Sequence, residues 1–261
     1  MKSELLPELY SKYDIPNLRF GIKTDKLGDV YEDFVVEIFR DLPTTISLLK
    51  TQSLEKEIIK EFFRKTRINI QEVTSIKATT KCIPRRKSGG SSKTDVIVYL
   101  ELKNRKKIDV PISVKQTSAP KVAFAEFSVD TICEEVGITD PIVKKLMEKH
   151  QRDASATNFT SQEKKELKLR LEPYVERLLR WIITMSPTKN TPSNAYPKWV
   201  LKFNLTKETS EVIDWHFYSI EEYIDYIRLN KKGNPKSGGF GTGLSWTYAT
   251  GSKGTKIQFK G

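Results

Sequence analysis

Residues 94–115, TDVIVYLELKNRKKIDVPISVK, contain the two alternating runs that decide the fold of this chain. Large apolar side chains occupy every second position over 94–102, which is the period of a half-buried β-strand. After a polar turn at 103–107, the alternation returns over 108–115. Two such runs joined by a short polar turn predict an antiparallel hairpin.

Helices and another strand are predicted ahead of this hairpin. Apolar residues at steps of three and four predict one helix over about 26–42, and residues 53–66 are also predicted to be helical. The β-branched run 73–80 predicts a strand, and the loop 81–93 that follows it is basic and contains no acid.

Helix caps mark the second half of the chain. The N-cap residues Asp140, Thr160 and Ser219 each predict the start of a helix. Pro173 is expected to kink or divide the helix that begins after Thr160. Two further strands are predicted, over 198–205 and 212–218.

Composition and charge restrict the class of protein. The 261 residues are 38% hydrophobic and 10% aromatic, which is enough apolar side chain for one compact folded unit. Lys and Arg outnumber Asp and Glu by 45 to 33, so a polyanion such as nucleic acid or a membrane surface is the expected partner. No apolar run approaches the ~18 residues of a membrane span, and the N-terminus lacks the build of a signal peptide. We therefore expect a cytoplasmic protein.

Cysteine and histidine chemistry is largely excluded. Cys82 and Cys133 are isolated, so neither a disulfide framework nor a zinc site is indicated, and both are expected to be small buried apolar residues. His150 and His216 are the only histidines, and a structural role suits each at least as well as catalysis. His150 is expected to end a helix, where a charged imidazolium would suit the dipole.

Asp95, Ser113 and Lys115 remain as candidates for catalysis. Residues two apart on a strand share a face, so all three side chains can converge at one end of the hairpin. Phosphodiester hydrolysis needs a hard cation held by oxygen ligands and a nearby group that orients water, which an Asp and a Lys can supply. The alternative is an ordinary ion pair between Asp95 and Lys115.

The segment 230–261 differs from the rest of the chain. It contains no Asp or Glu, holds eight of the thirteen glycines, and spreads six lysines among large apolar residues. A flexible basic tail is one interpretation. The number of large apolar side chains favours an ordered, glycine-shaped surface.

Two sets of residues resemble a known family. Ser92 to Asp95 on one strand and Ser113 to Lys115 on the next resemble the divided PD-(D/E)xK signature of restriction endonucleases. The run 240–261, FGTGLSWTYATGSKGTKIQFKG, is far more specific and closely resembles the end of the MspI family of type II restriction endonucleases. Further similarity follows in the same order through residues 25–39, 89–95, 125–137 and 149–156.

The resemblance implies a fold and an activity. The fold would be a mixed α/β (α+β) nuclease core, in which helices flank a central mixed β-sheet and 230–261 form a glycine-rich DNA-recognition segment. The whole chain would be one restriction-endonuclease domain, with the catalytic hairpin and the following helix within 73–137. The activity would be Mg²⁺-dependent hydrolysis of double-stranded DNA at CCGG, cut after the first C to leave 5′-phosphate ends.

The resemblance also implies roles for individual residues. Asp95 would bind the metal and Lys115 would be the catalytic lysine. Ser113 departs from the pattern, because the superfamily commonly has Glu or Asp there and the MspI family has Asn. It would bind the metal through its hydroxyl, a water or its backbone carbonyl. Glu32 would add a helical carboxylate near the metal; the alternative is a solvated helix residue.

DNA contacts are expected from the C-terminal segment and from the basic loop. The candidates in the segment are Thr247, Thr250, Ser252, Lys253, Lys256, Gln258 and Lys260, and the loop adds Arg85 and Arg86 as phosphate contacts. A cognate DNA methyltransferase would be the genetic partner. The oligomeric state stays open, with a monomer among the alternatives. Two other functions also remain: a non-catalytic nucleic-acid binder and a structure-selective repair nuclease.

Overall fold

The structure is a computed structural model that describes residues 2–86, 90–186, 188–189, 191–229 and 239–261. Its internal contacts group into two compact units. The first unit contains Met1–Ala119 and Pro192–Ser219, and the second contains Pro120–Thr191 and Ile220–Gly261. The single domain expected from the sequence stays a prediction. Lys231, Lys232 and Lys236 of the C-terminal segment lie outside the described residues.

The helices and strands follow one another in a mixed order. In chain order they are α1 (Leu6–Lys12), α2 (Phe20–Ile38), α3 (Leu42–Leu48), α4 (Leu54–Thr66), β1 (Val73–Thr79), β2 (Val96–Leu102), β3 (Lys107–Thr117), β4 (Ala123–Phe127), α5 (Val129–Val136), α6 (Pro141–Asp153), α7 (Ser161–Leu171), α8 (Val175–Thr184), β5 (Trp199–Leu205), β6 (Val212–Ser219), α9 (Ile220–Leu229), β7 (Ser245–Thr247) and β8 (Ile257–Lys260). In the described part of the chain, no helix is long and apolar enough to cross a membrane.

The first unit is built on a five-stranded mixed sheet. The strand order is β1-β2-β3-β5-β6, and only the β3–β5 pair is parallel. The predicted hairpin is confirmed: β2 and β3 pair antiparallel, with Val96 opposite Ile112 and Val98 opposite Val110. These four side chains belong to a core that α1 to α4 share with one face of the sheet. The predicted fold class, a mixed sheet flanked by helices, is confirmed.

The first long helix ends earlier than the sequence pattern predicted. Helix α2 covers Phe20–Ile38, whereas the prediction was about 26–42. A separate helix, α3, begins after Asp41, whose carboxylate accepts a hydrogen bond from the Thr44 backbone N–H at 2.7 Å. A capping Asp followed by a proline in the first helical turn starts a new helix, so the apolar stripe continues across a break.

The second unit carries helices α5 to α9 around a three-stranded sheet. Its strand order is β4-β8-β7, and both pairs are antiparallel. The predicted caps at Asp140 and Thr160 are confirmed, and the Thr160 cap is a complete capping box with Glu163. Pro173 lies in a short 3-10 turn that separates α7 from α8, as predicted.

Two expectations for single side chains are wrong. Cys82 is exposed, because it lies in the polar loop after β1 with a left-handed backbone, while Cys133 is buried as expected. His150 lies in the last turn of α6 but is fully buried, and this burial lowers its pKa to about 4. It is therefore an uncharged core residue at neutral pH, and the helix dipole does not hold an imidazolium there.

Candidate active site

Asp95 is fixed at the start of strand β2. Its backbone N–H donates to the Ile112 carbonyl of β3 at 2.9 Å, which extends the hairpin ladder by one residue. Its carboxylate oxygen Oδ2 accepts three hydrogen bonds: from Ser113 Oγ at 3.0 Å, from the Val114 N–H at 2.8 Å and from Lys115 Nζ at 2.9 Å. The structure thus brings together the three residues that the sequence singled out on the hairpin.

Lys115 has a second partner in its own strand. Its ammonium also donates to the Val114 carbonyl oxygen at 3.0 Å, so two oxygens hold it in one place. The Lys115 and Asp95 side chains are each 21% exposed, which makes this a half-buried pair. The ion pair considered from the sequence is therefore present. The groups around this ion pair indicate whether it has a catalytic role in addition to stabilising the hairpin.

Glu32 is the neighbour that changes the interpretation. It lies half-buried on α2, and burial together with the negative charge of Asp95 raises its pKa to about 7, although Lys115 acts in the opposite direction. Helix α2 packs against β3, and a half-buried carboxyl whose pKa responds to the charges of Asp95 and Lys115 is not a solvated helix residue. Two acids and one lysine therefore influence one another's charge at this point of the sheet.

Two further lysines lie near this centre and were missed as site residues. Lys93 is half-buried, and burial, then the positive charge of Lys115, lower its pKa. Lys202 on β5 is 2% exposed and is the register partner of Lys115 in the parallel β3–β5 pair. The sequence held a signal for each: Lys93 stands two residues before Asp95, and Lys202 follows three apolar residues in a mostly apolar strand.

The residues of this centre fit a hard divalent cation. Asp95 and Glu32 offer carboxylate oxygens and Val114 offers a carbonyl oxygen, which are the donor types such ions prefer. Among the residues that the structure describes, no group of three or more His, Cys, Asp or Glu forms a metal cluster. Mg²⁺ is commonly held by one or two carboxylates together with waters and substrate phosphates, so this set is sufficient. A cation would also offset the charge of Asp95, which after burial is the second cause of the raised pKa of Glu32.

Ser113 does not present a free hydroxyl in this structure. It is fully buried, and its Oγ donates to Asp95. This contact positions the Asp95 carboxylate, and a metal-binding role for Ser113 stays a prediction.

The C-terminal segment forms an ordered surface over 239–261. On β8, Ile257 and Phe259 are fully buried, while Gln258 and Lys260 alternate with them on the opposite, polar face. Thr247 on β7 is the register partner of Gln258 and donates to its side-chain oxygen at 3.3 Å. We call the polar face of the β4-β8-β7 sheet the reading face, after the DNA contacts that the sequence predicts for it.

The loop between β7 and β8 holds the other candidates for DNA contact. Thr250 and Lys253 are exposed, and Lys253 Nζ lies 5.5 Å from the ring centroid of Tyr248. Ser252 is buried, and its hydroxyl donates to the Glu126 carboxylate in a short hydrogen bond. Lys256 Nζ lies 3.5 Å from the same carboxylate. Glu126 was missed in the sequence, because it meets the C-terminal segment only through the pairing of β4 with β8, which no local pattern predicts.

Arg85 and Arg86 lie in the first unit, in the loop after β1. Arg85 is exposed, and the Arg86 guanidinium donates to the Ser91 carbonyl oxygen at 2.8 Å. Their contact with phosphates stays a prediction.

The fold and this centre define a class of protein. Two antiparallel strands that present an Asp and a Lys at one point of a mixed sheet, beside a helical Glu, are the arrangement of restriction-endonuclease-like nucleases. The family model "Restriction endonuclease MspI" matches residues 13–261, and the chain belongs to this family. Its enzyme class is therefore that of the type II restriction endonucleases.

Individual relatives agree with this assignment. The type II restriction enzyme MspI of Moraxella sp is 35% identical over the full length of both chains. The type II restriction enzyme BsuFI of Bacillus subtilis is 27% identical over 94% of this chain and 61% of its own. A crystal structure of MspI with its cognate DNA superposes with a TM-score of 0.90 at 34% identity, covering all of both chains.

Proposed function

We propose that this chain is a Mg²⁺-dependent type II restriction endonuclease that cuts both strands of double-stranded DNA at CCGG, after the first C. The observation that carries the chemistry is the contact of Asp95 with Lys115 on the hairpin, against which helix α2 packs with Glu32, whose pKa is raised by burial and then by the charge of Asp95. The proposed recognition sequence is supported by the full-length similarity to MspI and by the ordered reading face.

The chain's own residues divide the work of hydrolysis. Asp95 and Glu32 would hold the ion, with the Val114 carbonyl oxygen as a further donor. When bound, the ion neutralises charge on the phosphate and favours ionisation of water. Lys115, fixed by Asp95 and the Val114 carbonyl, orients the attacking water and stabilises negative charge on the phosphate oxygens. The water oxygen bonds to phosphorus while the bond from phosphorus to the 3′ oxygen breaks, and the 3′ oxygen takes up a proton from solvent, which leaves a 5′-phosphate end and a 3′ hydroxyl.

Cleavage of plasmid DNA tests the proposal directly. Purified protein is incubated with two plasmids that differ only in whether their CCGG sites are intact, with Mg²⁺ or with EDTA, and fragment ends are sequenced. Ends at CCGG that require Mg²⁺ are expected. Fragment ends at another palindrome would reject CCGG as the recognition sequence but support the restriction-endonuclease activity. Cuts at nicks or mismatches would indicate a repair nuclease, and no cutting in any metal would indicate a binding protein.

The genetic context supplies a second, independent test. A restriction enzyme requires protection of the host's own sites, so we expect a cytosine methyltransferase gene beside the gene of this chain. DNA methylated at CCGG by that enzyme should resist cleavage. A bacterial cytoplasmic location and the oligomeric state stay predictions.

A further inference from the structure

One acid reaches the reading face from outside the acid-free segment. The segment 230–261 contains no Asp or Glu, and Glu126 belongs to the neighbouring strand β4. Glu126 is the register partner of Gln258, which is in turn the partner of Thr247. Register partners in a sheet share a face, so these three side chains form one row across the reading face.

Both oxygens of the Glu126 carboxylate have an assigned neighbour. Oε2 accepts a short hydrogen bond from Ser252 Oγ, and Oε1 lies 3.5 Å from Lys256 Nζ. The Glu126 side chain is 31% exposed, so solvent screens this pair only in part. The loop that holds Ser252 and Lys256 is thereby tied to strand β4 by one side chain.

A carboxylate in this place is costly for binding DNA as a polyanion. Non-specific affinity comes almost entirely from cations that neutralise phosphates, and a negative charge among them repels the backbone. Affinity for DNA alone gives no reason for a carboxylate at this position. Discrimination between DNA sequences does, because the carboxylate fixes the neighbouring lysine and repels wrongly placed phosphates and acceptor atoms.

We propose that Glu126 is a positioning residue that determines sequence discrimination by holding Ser252 and Lys256 in one arrangement on the reading face. The inference rests on the proposed function, because discrimination has meaning only for an enzyme that reads a DNA sequence. Glu126 acts through its two neighbours. Its removal should lower the discrimination between DNA sequences while non-specific affinity for DNA stays constant or rises.

The test compares Glu126→Gln and Glu126→Ala with the unaltered chain. Binding is measured in Ca²⁺ to the duplex that carries the sequence found at the cut ends and to a duplex with one base pair changed. We expect the affinity ratio between the two duplexes to fall by about tenfold or more, which is the value of roughly one base pair. Affinity for the altered duplex should stay constant or rise. Glu126→Gln, which keeps an acceptor for Ser252, should lose less than Glu126→Ala.

Glu134→Gln is the matched control. Glu134 is an exposed acid on α5 in the same unit, so its replacement removes the same charge and leaves the Glu126 contacts with Ser252 and Lys256 in place. It should leave the affinity ratio unchanged. Lys256→Gln should reproduce the fall, and combining it with Glu126→Gln should add little to it.

The outcomes separate the inference from the proposed function. An unchanged ratio in Glu126→Gln and Glu126→Ala, with an unaltered chain that does discriminate, overturns the role of Glu126 alone. Equal loss on both duplexes together with a lower melting temperature overturns it as well, because that is the effect of a purely structural contact. An unaltered chain that neither cuts nor discriminates overturns both proposals.

Discussion

Lys115 Nζ lies 2.9 Å from Asp95 Oδ2, and the same oxygen accepts from the Ser113 hydroxyl and from the Val114 backbone N–H. Three consecutive residues of β3 thus fix one carboxylate oxygen of Asp95, which lies directly before β2. Strand pairing makes this arrangement rigid, which is what a reacting centre requires. The three hydrogen bonds end on Oδ2, so Oδ1 lies outside this set of contacts.

Asp95→Asn and Lys115→Ala should each abolish most cleavage without preventing folding. The first keeps the shape of the side chain and removes its charge, and the second removes the group that orients water. We expect losses of about 10²- to 10⁴-fold in cleavage rate. Lys103→Ala, an exposed lysine in the turn of the same hairpin, serves as the control. Rates are measured on plasmid DNA, and duplex affinity and circular dichroism are measured in parallel. Full activity in either variant, or loss of the native spectrum, would contradict the assignment.

Glu32 should make the metal-free protein less stable as pH rises. Its folded pKa of about 7 lies above its ordinary value of 4.5, chiefly because of burial and then because of Asp95. The folded state therefore resists ionisation, and the free energy of unfolding falls as pH rises from about 4.5 through 7. Glu32→Gln should remove this loss and be more stable at pH 8 in EDTA by about 1 to 3 kcal/mol.

The same substitution should reduce cleavage, because it removes a carboxylate that would hold the ion. Urea unfolding at pH 5.5 and 8 in EDTA, with Asp25→Asn of the exposed surface of α2 as control, measures the stability effect. A pH dependence equal to that of the unaltered chain would show that Glu32 is not the group responsible.

His150 should make the protein less stable as pH falls, whereas Glu32 makes it less stable as pH rises. Its ring lies 5.8 Å from the ring of Phe240 and 5.5 Å from that of Trp246, and neither ring nitrogen has a hydrogen-bond partner among the described residues. Burial lowers its pKa from 6.5 to about 4. The unfolded chain therefore binds a proton that the folded chain excludes, and stability is lost as pH falls from about 6.5 to 4, by up to about 3 kcal/mol.

His150→Phe, which suits this aromatic cluster, should remove that acid sensitivity. The free energy of unfolding is compared at pH 7.5 and 5.0 between the variant and the unaltered chain. His216→Gln is the control, since His216 is exposed and pairs with Asp214 at 2.8 Å. If His150→Phe loses stability in acid as steeply as the unaltered chain, the buried imidazole is not the cause.

Contacts to bases and contacts to phosphates should respond differently to substitution. Gln258→Ala on the reading face should weaken binding to cognate DNA by about 1 to 3 kcal/mol. Binding to other DNA should change little. If Arg85 contacts a phosphate, Arg85→Gln should weaken binding to all duplexes alike. The slope of log affinity against log salt concentration should then fall by about one unit. Competition binding over a range of salt concentrations measures both. A uniform loss from Gln258→Ala would place this residue on the DNA backbone.

The sequence predicted the hairpin and its neighbours because their signals are local. Alternation over 94–102 and 108–115 sets the strand faces, and the register then places Asp95 near Lys115 without further information. Caps such as Asp140 and the Thr160 capping box are also contained in a few consecutive residues. The end of α2 was misplaced because an apolar stripe continues through a helix break.

The sequence could not reveal relationships that depend on distant pairing. Lys202 approaches Lys115 only because β3 and β5 pair in parallel. Residues 120–191, which belong to the second unit, separate these two strands in the sequence. Glu126 meets Ser252 through the β4–β8 pairing. The burial of His150 likewise depends on Phe240 and Trp246, about a hundred residues further along. In each case no local pattern marks the partner.

The route of the chain through the two units limits how such an enzyme can change by recombination. The β2–β3 hairpin and the reading face belong to different units, and the chain passes from one unit to the other at 119–120, at 191–192 and again at 219–220. A single genetic crossover therefore cannot exchange one unit intact between relatives, because each consists of two separated stretches. New specificity should arise instead by point substitutions within a retained frame, which makes side chains such as Gln258 and Glu126 the natural places for divergence.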